Sequence, residues 1–265
     1  MPESAEVKLT AEYLASTLEN KIITDWCFLS GQYEHNCPQG FEEFHNALPL
    51  IVEQVSCKGK LIFFILHNEY TRFYILHSLR MTGRWQEEQD MYCRWYIEIE
   101  NKKRIWFRNP RCLATLHFTK NEPTFRQTLS KLGPDILTDE FDLATWKQLI
   151  TKHRNKNITA FLMDQSIISG CGNYIKAEVL YYAKVSPLRK VNSLTENEAA
   201  KIFEGLRIIP RTAYNYKGLS IRDYADPNGK KGYQEFHLKI YNQSHAERTK
   251  TTDGRTTYWD PNVQK

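Results

Sequence analysis

The sequence predicts an α+β protein: an N-terminal helix with an antiparallel β-sandwich domain, then a helical domain closed by a terminal β-hairpin. Three observations predict it. Apolar residues recur at helical spacing at the start (Val7, Ala11, Leu14, Leu18). Aromatic and β-branched runs separated by polar turns fill residues 60–118. Helical spacing resumes after Gly133-Pro134-Asp135, until the tail returns to alternation.

The first helix covers residues 4–19 and is closed by the polar pair Asn20-Lys21. Strands follow at Lys60–His67, Thr71–Leu79, Trp95–Glu100, Arg104–Arg108 and Ala114–Phe118, with Asn101-Lys102-Lys103 as a hairpin loop. About 120 residues suit an antiparallel sandwich or barrel, and Gly133-Pro134 ends the pattern there. Helical spacing then marks 141–153, 158–165, 173–183 and 195–216, with Pro210 expected to kink or split the last. From Tyr233 alternation returns, with Asp253-Gly254 as a two-residue hairpin turn. The domains so drawn are 1–132, 133–232 and 233–265.

With 265 residues and 41% hydrophobic content, the chain can bury one or two ordinary cores. The residues after Met1 lack the basic stretch and apolar core of a secretory signal, and no apolar run reaches the ~18 residues a membrane span needs, so a soluble intracellular protein is expected. The cysteines Cys27, Cys37, Cys57, Cys93, Cys112 and Cys171 are scattered without zinc-knuckle spacing, and are expected to be reduced and mostly buried. Residues 1–150 carry 17 Lys+Arg against 20 Asp+Glu, whereas residues 151–265 carry 19 against 11. The second half is therefore basic and suits a polyanion, although solvated basic faces are common.

Removal of Met1 before the small Pro2 would leave a secondary amine at the N-terminus. An α-amine titrates near ~8 and a lysine near ~10.4, so far more of the α-amine is neutral and nucleophilic at pH 7. Its condensation product with a carbonyl carbon is an iminium, positively charged without further protonation. Glu3 lies beside it at the start of the first helix, within reach to relay a proton, and Glu6 follows one turn later. Taken alone, Pro-Glu is an ordinary helix opening.

Other segments give that pair a context. Pro2-Glu3-Ser4-Ala5-Glu6-Val7 resembles the P-E-x-P-E-[VI] start of the formamidopyrimidine-DNA glycosylase / endonuclease VIII family. Three further segments match it in the same order. Lys58-Gly59-Lys60-Leu61 resembles the opening of the family's strand with an active-site lysine, which makes Lys60 the matching position. Asp164 to Tyr174 resembles the helix–two-turn–helix DNA-binding element. There Gly170 and Gly172 would let backbone N–H groups approach a phosphate, and Asn173 would cap the next helix. Thr252-Asp253-Gly254-Arg255-Thr256-Thr257-Tyr258-Trp259 resembles the second strand of the terminal hairpin finger, with Arg255 at the phosphate-binding position and held at the turn's tip.

Zinc-finger members of the family carry four tail cysteines, whereas the last cysteine here is Cys171. The resemblance is therefore to endonuclease VIII-like members with a zincless finger. No metal or other cofactor is expected, and packing of Ile240, Tyr258, Trp259 and Pro261 is expected to hold the hairpin. Met81-Thr82-Gly83 and Asn109-Pro110-Arg111-Cys112-Leu113 resemble the family's wedge segments, placing Met81, Arg111 and Leu113 in the space of a flipped-out nucleotide. Ser220 to Tyr233 resembles the loop that covers 8-oxoguanine in the formamidopyrimidine branch, so tail and loop point to different branches.

The resemblance implies a bifunctional glycosylase and lyase of base excision repair. Pro2 would attack C1′ of a damaged nucleotide with Glu3, Glu6, Lys60 and Arg255 in the catalytic group, and Gly172, Asn173, Met81, Arg111 and Leu113 would contact DNA. Oxidised pyrimidines and formamidopyrimidines are the favoured lesions. A monomer acting on damaged double-stranded DNA is expected, with bubble and single-stranded substrates left open. Two alternatives stand beside it: a non-catalytic damaged-DNA-binding protein of the same fold, and an 8-oxoguanine-preferring glycosylase.

Overall fold

A computed structural model describes residues 2–218 and 238–265. They fall into two compact units. Pro2 and residues 6–130 belong to the first, with 217–218; residues 3–5, 131–216 and 238–265 belong to the second. The tail thus shares a unit with the helices. The segment Ser220 to Tyr233 lies outside the described residues.

Helix α1 (Ser4–Leu18) follows the apolar spacing, and Val7, Ala11, Leu14 and Leu18 enter the core of the first unit. Eight strands share that core: β1 (Ile22–Phe28), β2 (Leu50–Lys58), β3 (Leu61–His67), β4 (Arg72–Ser78), β5 (Arg84–Gln86), β6 (Cys93–Ile99), β7 (Arg104–Arg108) and β8 (Thr115–Thr119). All neighbours are antiparallel, in the order β5-β7-β6-β1-β2-β3-β4-β8. The sheet is folded on itself as a sandwich. Trp26 of β1 meets Phe64 of β3 at 6.0 Å and Phe118 of β8 at 5.3 Å, and His77 of β4 meets Phe107 of β7 at 4.8 Å. Edge-to-face ring contacts such as these each add about 0.5–1.5 kcal/mol beyond area burial. A short helix α2 (Phe41–His45) adds Phe41 and Phe44 to the same core, and α3 (Glu122–Ser130) stacks Phe125 on Tyr74 at 4.6 Å.

The strands that periodicity missed are the interrupted or short ones. Pairing registers slip between Ile23 and Asp25 in β1 and between Val52 and Gln54 in β2, and an extra residue breaks alternation at each slip. A third slip between Cys93 and Trp95 accounts for the predicted start of β6 at Trp95.

In the second unit lie α4 (Leu143–Lys152), α5 (Ile158–Met163), α6 (Asn173–Tyr182) and α7 (Glu196–Asn215), then the hairpin β9 (Glu247–Lys250) and β10 (Thr256–Trp259). Side chains of Asp142 and Asn157 cap α4 and α5. Thr195 and Glu198 form a reciprocal capping box on α7. Contrary to expectation, Pro210 does not split α7, which runs as one helix through it. Proline costs about 3 kcal/mol inside a helix. Here that cost is met by the cap and by a buried face formed by Ile202, Leu206, Pro210 and Ala213.

All six cysteines are thiols, but only Cys93 and Cys171 are buried, and Cys37 is exposed. Most are therefore less buried than expected: Cys37 and Cys112 fall on loops, and Cys27 and Cys57 are only partly covered on β1 and β2. Among the described residues no helix is long and apolar enough to cross a membrane.

Candidate active site

Register gathers three segments of the first unit at one end of the sandwich. Lys58 pairs with Leu61, leaving Gly59-Lys60 as the β2–β3 turn, with Gly59 in the left-handed region. Ile62 pairs with His77, and Ser78, the last residue of β4, pairs with Thr115, the first of β8. The turn holding Lys60, the residues leaving β4 and those entering β8 therefore emerge together on three adjacent strands. Lys60 is half-buried on the turn itself, not the first strand residue as predicted.

Both wedge segments lie at that end. Met81 is half-buried, one residue past the left-handed Arg80. Gly83 allows this turn to close, since a Cβ there would stand 2.5 Å from the Leu79 carbonyl oxygen and 2.6 Å from the Phe107 ring. The second segment turns back when Cys112 N–H donates to the Asn109 carbonyl (3.1 Å), which also accepts from Arg94 Nε (3.1 Å). Arg111 and Leu113 are left exposed, with Leu113 44% accessible, while Ala114 is buried. An apolar side chain held out by a braced turn is what intercalation requires.

In the second unit, Glu3 is the organising residue. It is 1% exposed, and its carboxylate accepts from the backbone N–H groups of Tyr174 (2.9 Å) and Ile175 (3.2 Å) at the start of α6. Ser4 N–H donates to the Gly170 carbonyl (3.2 Å). The expected roles of Gly172 and Asn173 change accordingly. A Cβ on Gly172 would stand 2.2–2.5 Å from the Glu3 carboxyl group, so the missing side chain makes room for Glu3. Gly172, not Asn173, is the N-cap residue, and it provides no side-chain cap. The anion that the helix N-terminus favours is the chain's own Glu3.

Asn173, first in α6, turns its amide toward the tail and donates to the Thr256 carbonyl (3.0 Å). One turn on, Lys176 Nζ meets Asp253 Oδ2 at 2.6 Å, with side chains 0% and 3% exposed. Burial lowers the Lys176 ammonium below its ordinary value. Burial works to raise the Asp253 carboxyl, but hydrogen bonds from Lys176 and Thr251 outweigh it and hold the group below the usual range. The hairpin turn is longer than the predicted two residues. Thr251 N–H donates to the Arg255 carbonyl (3.0 Å) and Gly254 N–H to the Thr251 carbonyl (2.9 Å), enclosing Thr252, Asp253 and the left-handed Gly254. Arg255 thus stands just past the tip, its side chain exposed.

Of the residues expected to pack the tail, Ile240 is buried, while Tyr258, Trp259 and Pro261 are half-buried. Polar contacts supplement them. Glu178, 6% exposed, accepts from the N–H groups of Lys239 (2.8 Å), Ile240 (2.9 Å) and Tyr241 (2.7 Å). Sequence reasoning missed Lys176, Glu178 and Asp253. The one available signal was spacing: Asn173 and Lys176 stand three apart and share a helix face. Pro2 and Glu6 are both buried. Among the described residues no group of three or more His, Cys, Asp or Glu is placed to hold a metal ion.

Residues 1–116 match the formamidopyrimidine-DNA glycosylase N-terminal domain, and residues 132–225 match the formamidopyrimidine-DNA glycosylase H2TH domain. The chain is 30% identical over 284 residues to the formamidopyrimidine-DNA glycosylase of Listeria monocytogenes, covering 100% of both. It is 31% identical to that of Listeria innocua over 229 residues, 81% of this chain and 82% of the relative. Among solved structures it resembles the MutM (Fpg) protein of Thermus thermophilus, with a TM-score of 0.84 and 23% identity over 99% of this chain and 98% of that one. It also resembles wild-type Lactococcus lactis Fpg in a complex with N7-benzyl-Fapy-dG containing DNA, with a TM-score of 0.85 and 22% identity over 100% of both. At such identities these likenesses concern the fold. The matched domains define a class, proteins that join an N-terminal β-sandwich domain to a helix–two-turn–helix domain. Within that class the chain belongs to the formamidopyrimidine-DNA glycosylase family, and so to the DNA glycosylases of base excision repair.

Proposed function

We propose that the protein is a bifunctional DNA glycosylase and abasic-site lyase whose nucleophile is the amine of Pro2, uncovered by removal of Met1. The lone pair of that amine attacks C1′ of the damaged nucleotide, and the bond from C1′ to the base breaks, the base leaving with a proton. Ring opening gives an iminium between Pro2 and C1′. Loss of a C2′ proton then expels the 3′ phosphate, and a second elimination expels the 5′ phosphate, before water hydrolyses the iminium and restores the amine.

The observation that carries this reading is the seat of Glu3. A carboxylate next in the chain to the nucleophile, fixed as an anion by two backbone N–H groups and the positive end of α6, has the charge that favours cationic charge growing at Pro2. Glu6 lies further along the same helix, and Lys60, on its turn, serves phosphate binding and proton transfer. Arg255 binds a phosphate beside the lesion and supports the second elimination. Met81, Arg111 and Leu113 fill the space of the flipped nucleotide, at a cost of a few kcal/mol in unstacking.

The substrates so inferred are oxidised pyrimidines and formamidopyrimidines in duplex DNA, acted on by a monomer without a metal. Borohydride reduction of the protein on abasic-site DNA should freeze a covalent adduct at residue 2. Absence of an adduct with protein shown by mass spectrometry to begin at Pro2 would overturn the reading. A panel of oligonucleotides, each with one lesion, orders the substrates.

A further inference from the structure

We propose that the buried Lys176–Asp253 ion pair positions Arg255, fixing the arginine from α6 in a hairpin that has no thiols for a metal staple. The proposal rests on the lyase reading above. Lys176 is therefore a positioning residue, acting on the reaction through the turn that it grips.

The argument begins with cost. Removing an ammonium and a carboxylate from water is unfavourable, and their attraction repays it only when further hydrogen bonds complete the site. Those bonds are present. Besides Lys176, Asp253 accepts from the Thr251 hydroxyl through its other oxygen. The Thr251 hydroxyl lies 2.7 Å from that of Thr257 and 3.1 Å from the Arg255 carbonyl, which also accepts from Thr251 N–H at 3.0 Å. Thr251 and Thr257 are 7% and 0% exposed, so the network forms a small polar core beneath the turn. A second grip comes from Asn173 on the Thr256 carbonyl, the next residue along.

The geometry gives this lock a purpose beyond holding the hairpin down, which an apolar pair of similar volume would do as well or better. A salt bridge with fixed donors and acceptors defines one position of the turn, whereas apolar packing tolerates sliding. The first four residues of α6 also bear the seat of Glu3 at Tyr174 and Ile175. One rigid helix therefore sets both the carboxylate beside the nucleophile and the arginine proposed for the second elimination.

The test replaces the pair with apolar residues, Lys176→Met with Asp253→Leu, and measures on abasic-site duplex DNA the ratio of second-elimination to first-elimination product. Arg255→Ala supplies the reference. The double variant is expected to keep wild-type thermal stability and borohydride trapping while its product ratio falls about 10- to 100-fold toward that of Arg255→Ala, the scale on which a misplacement near 1 Å acts. A stable double variant with the wild-type ratio overturns the proposal. Should the double variant fail to fold, Asp253→Asn, which keeps the shape but removes the charge, serves instead: a lowered ratio supports the ion pair and an unchanged one overturns it. Failure of the lyase reading is separately visible, because wild-type protein would then form no adduct.

Discussion

At the scale of single residues, Gly172 shows how sequence and chemistry meet. A glycine before a helix resembles a phosphate-approach signal, yet its missing side chain is space occupied by the Glu3 carboxyl group. Gly172→Ala is therefore expected to push Glu3 from the helix N-terminus, with an overpacking cost of about 1–3 kcal/mol. Borohydride trapping on abasic DNA should fall steeply while affinity for undamaged duplex stays near wild type; equal losses in both would assign Gly172 to folding alone. His77 makes a different prediction. It is fully buried among Trp85, Trp95 and Phe107, with Nδ1 bonded to the Thr115 carbonyl, and burial pushes its pKa down to about 4. The unfolded chain then binds a proton below about pH 6.5 that the folded protein refuses until about pH 4. Stability is accordingly full above that window and falls by about 3 kcal/mol as pH drops through it. Denaturant midpoints between pH 4 and 7 should show a shallower slope in His77→Phe.

Among the elements, α7 and the wedge turn separate structural from functional cost. Leu113 is 44% exposed on a turn closed by its own backbone, so Leu113→Ala should change stability by no more than about 0.5 kcal/mol. Excision from duplex DNA should nevertheless drop, with single-stranded substrate unaffected; equal rates on both would remove Leu113 from base flipping. Thr195→Ala breaks the capping box of α7 and should cost about 1 kcal/mol by thermal melting, without altering product ratios. The helices α1 and α4 to α7 were legible because apolar spacing is local, whereas α2 and α3, of five and nine residues with two large apolar side chains each, show too little of it and were missed. The strands β1 and β2 were not legible either, because bulges interrupt the period that betrays a strand.

For the whole molecule, the basic second half gives a measurable expectation. DNA affinity should fall linearly with the logarithm of salt concentration, and Arg255→Ala should reduce the slope by about one. A slope unchanged by that variant would mean that Arg255 contacts no phosphate. The absence of tail cysteines leads to a second expectation: prolonged treatment with 1,10-phenanthroline should leave excision unchanged, and its loss would reveal a metal dependence.

Sequence alone determined the succession of N-terminal helix, β-rich region, helical region and hairpin tail, the family motifs around Pro2, Lys60, Asn173 and Arg255, and a tail without thiols. These are properties of neighbouring residues, governed by backbone propensity and side-chain type. Only the tertiary structure decided what those residues touch. Glu3 meets Tyr174 across 171 positions, and Lys176 meets Asp253 across 77. Contacts over such separations depend on how α6 packs once the chain has folded, and no local pattern encodes them. The carboxylate read as a partner of Pro2 is thus also the cap of α6, and the arginine read as a turn residue is held from the same helix.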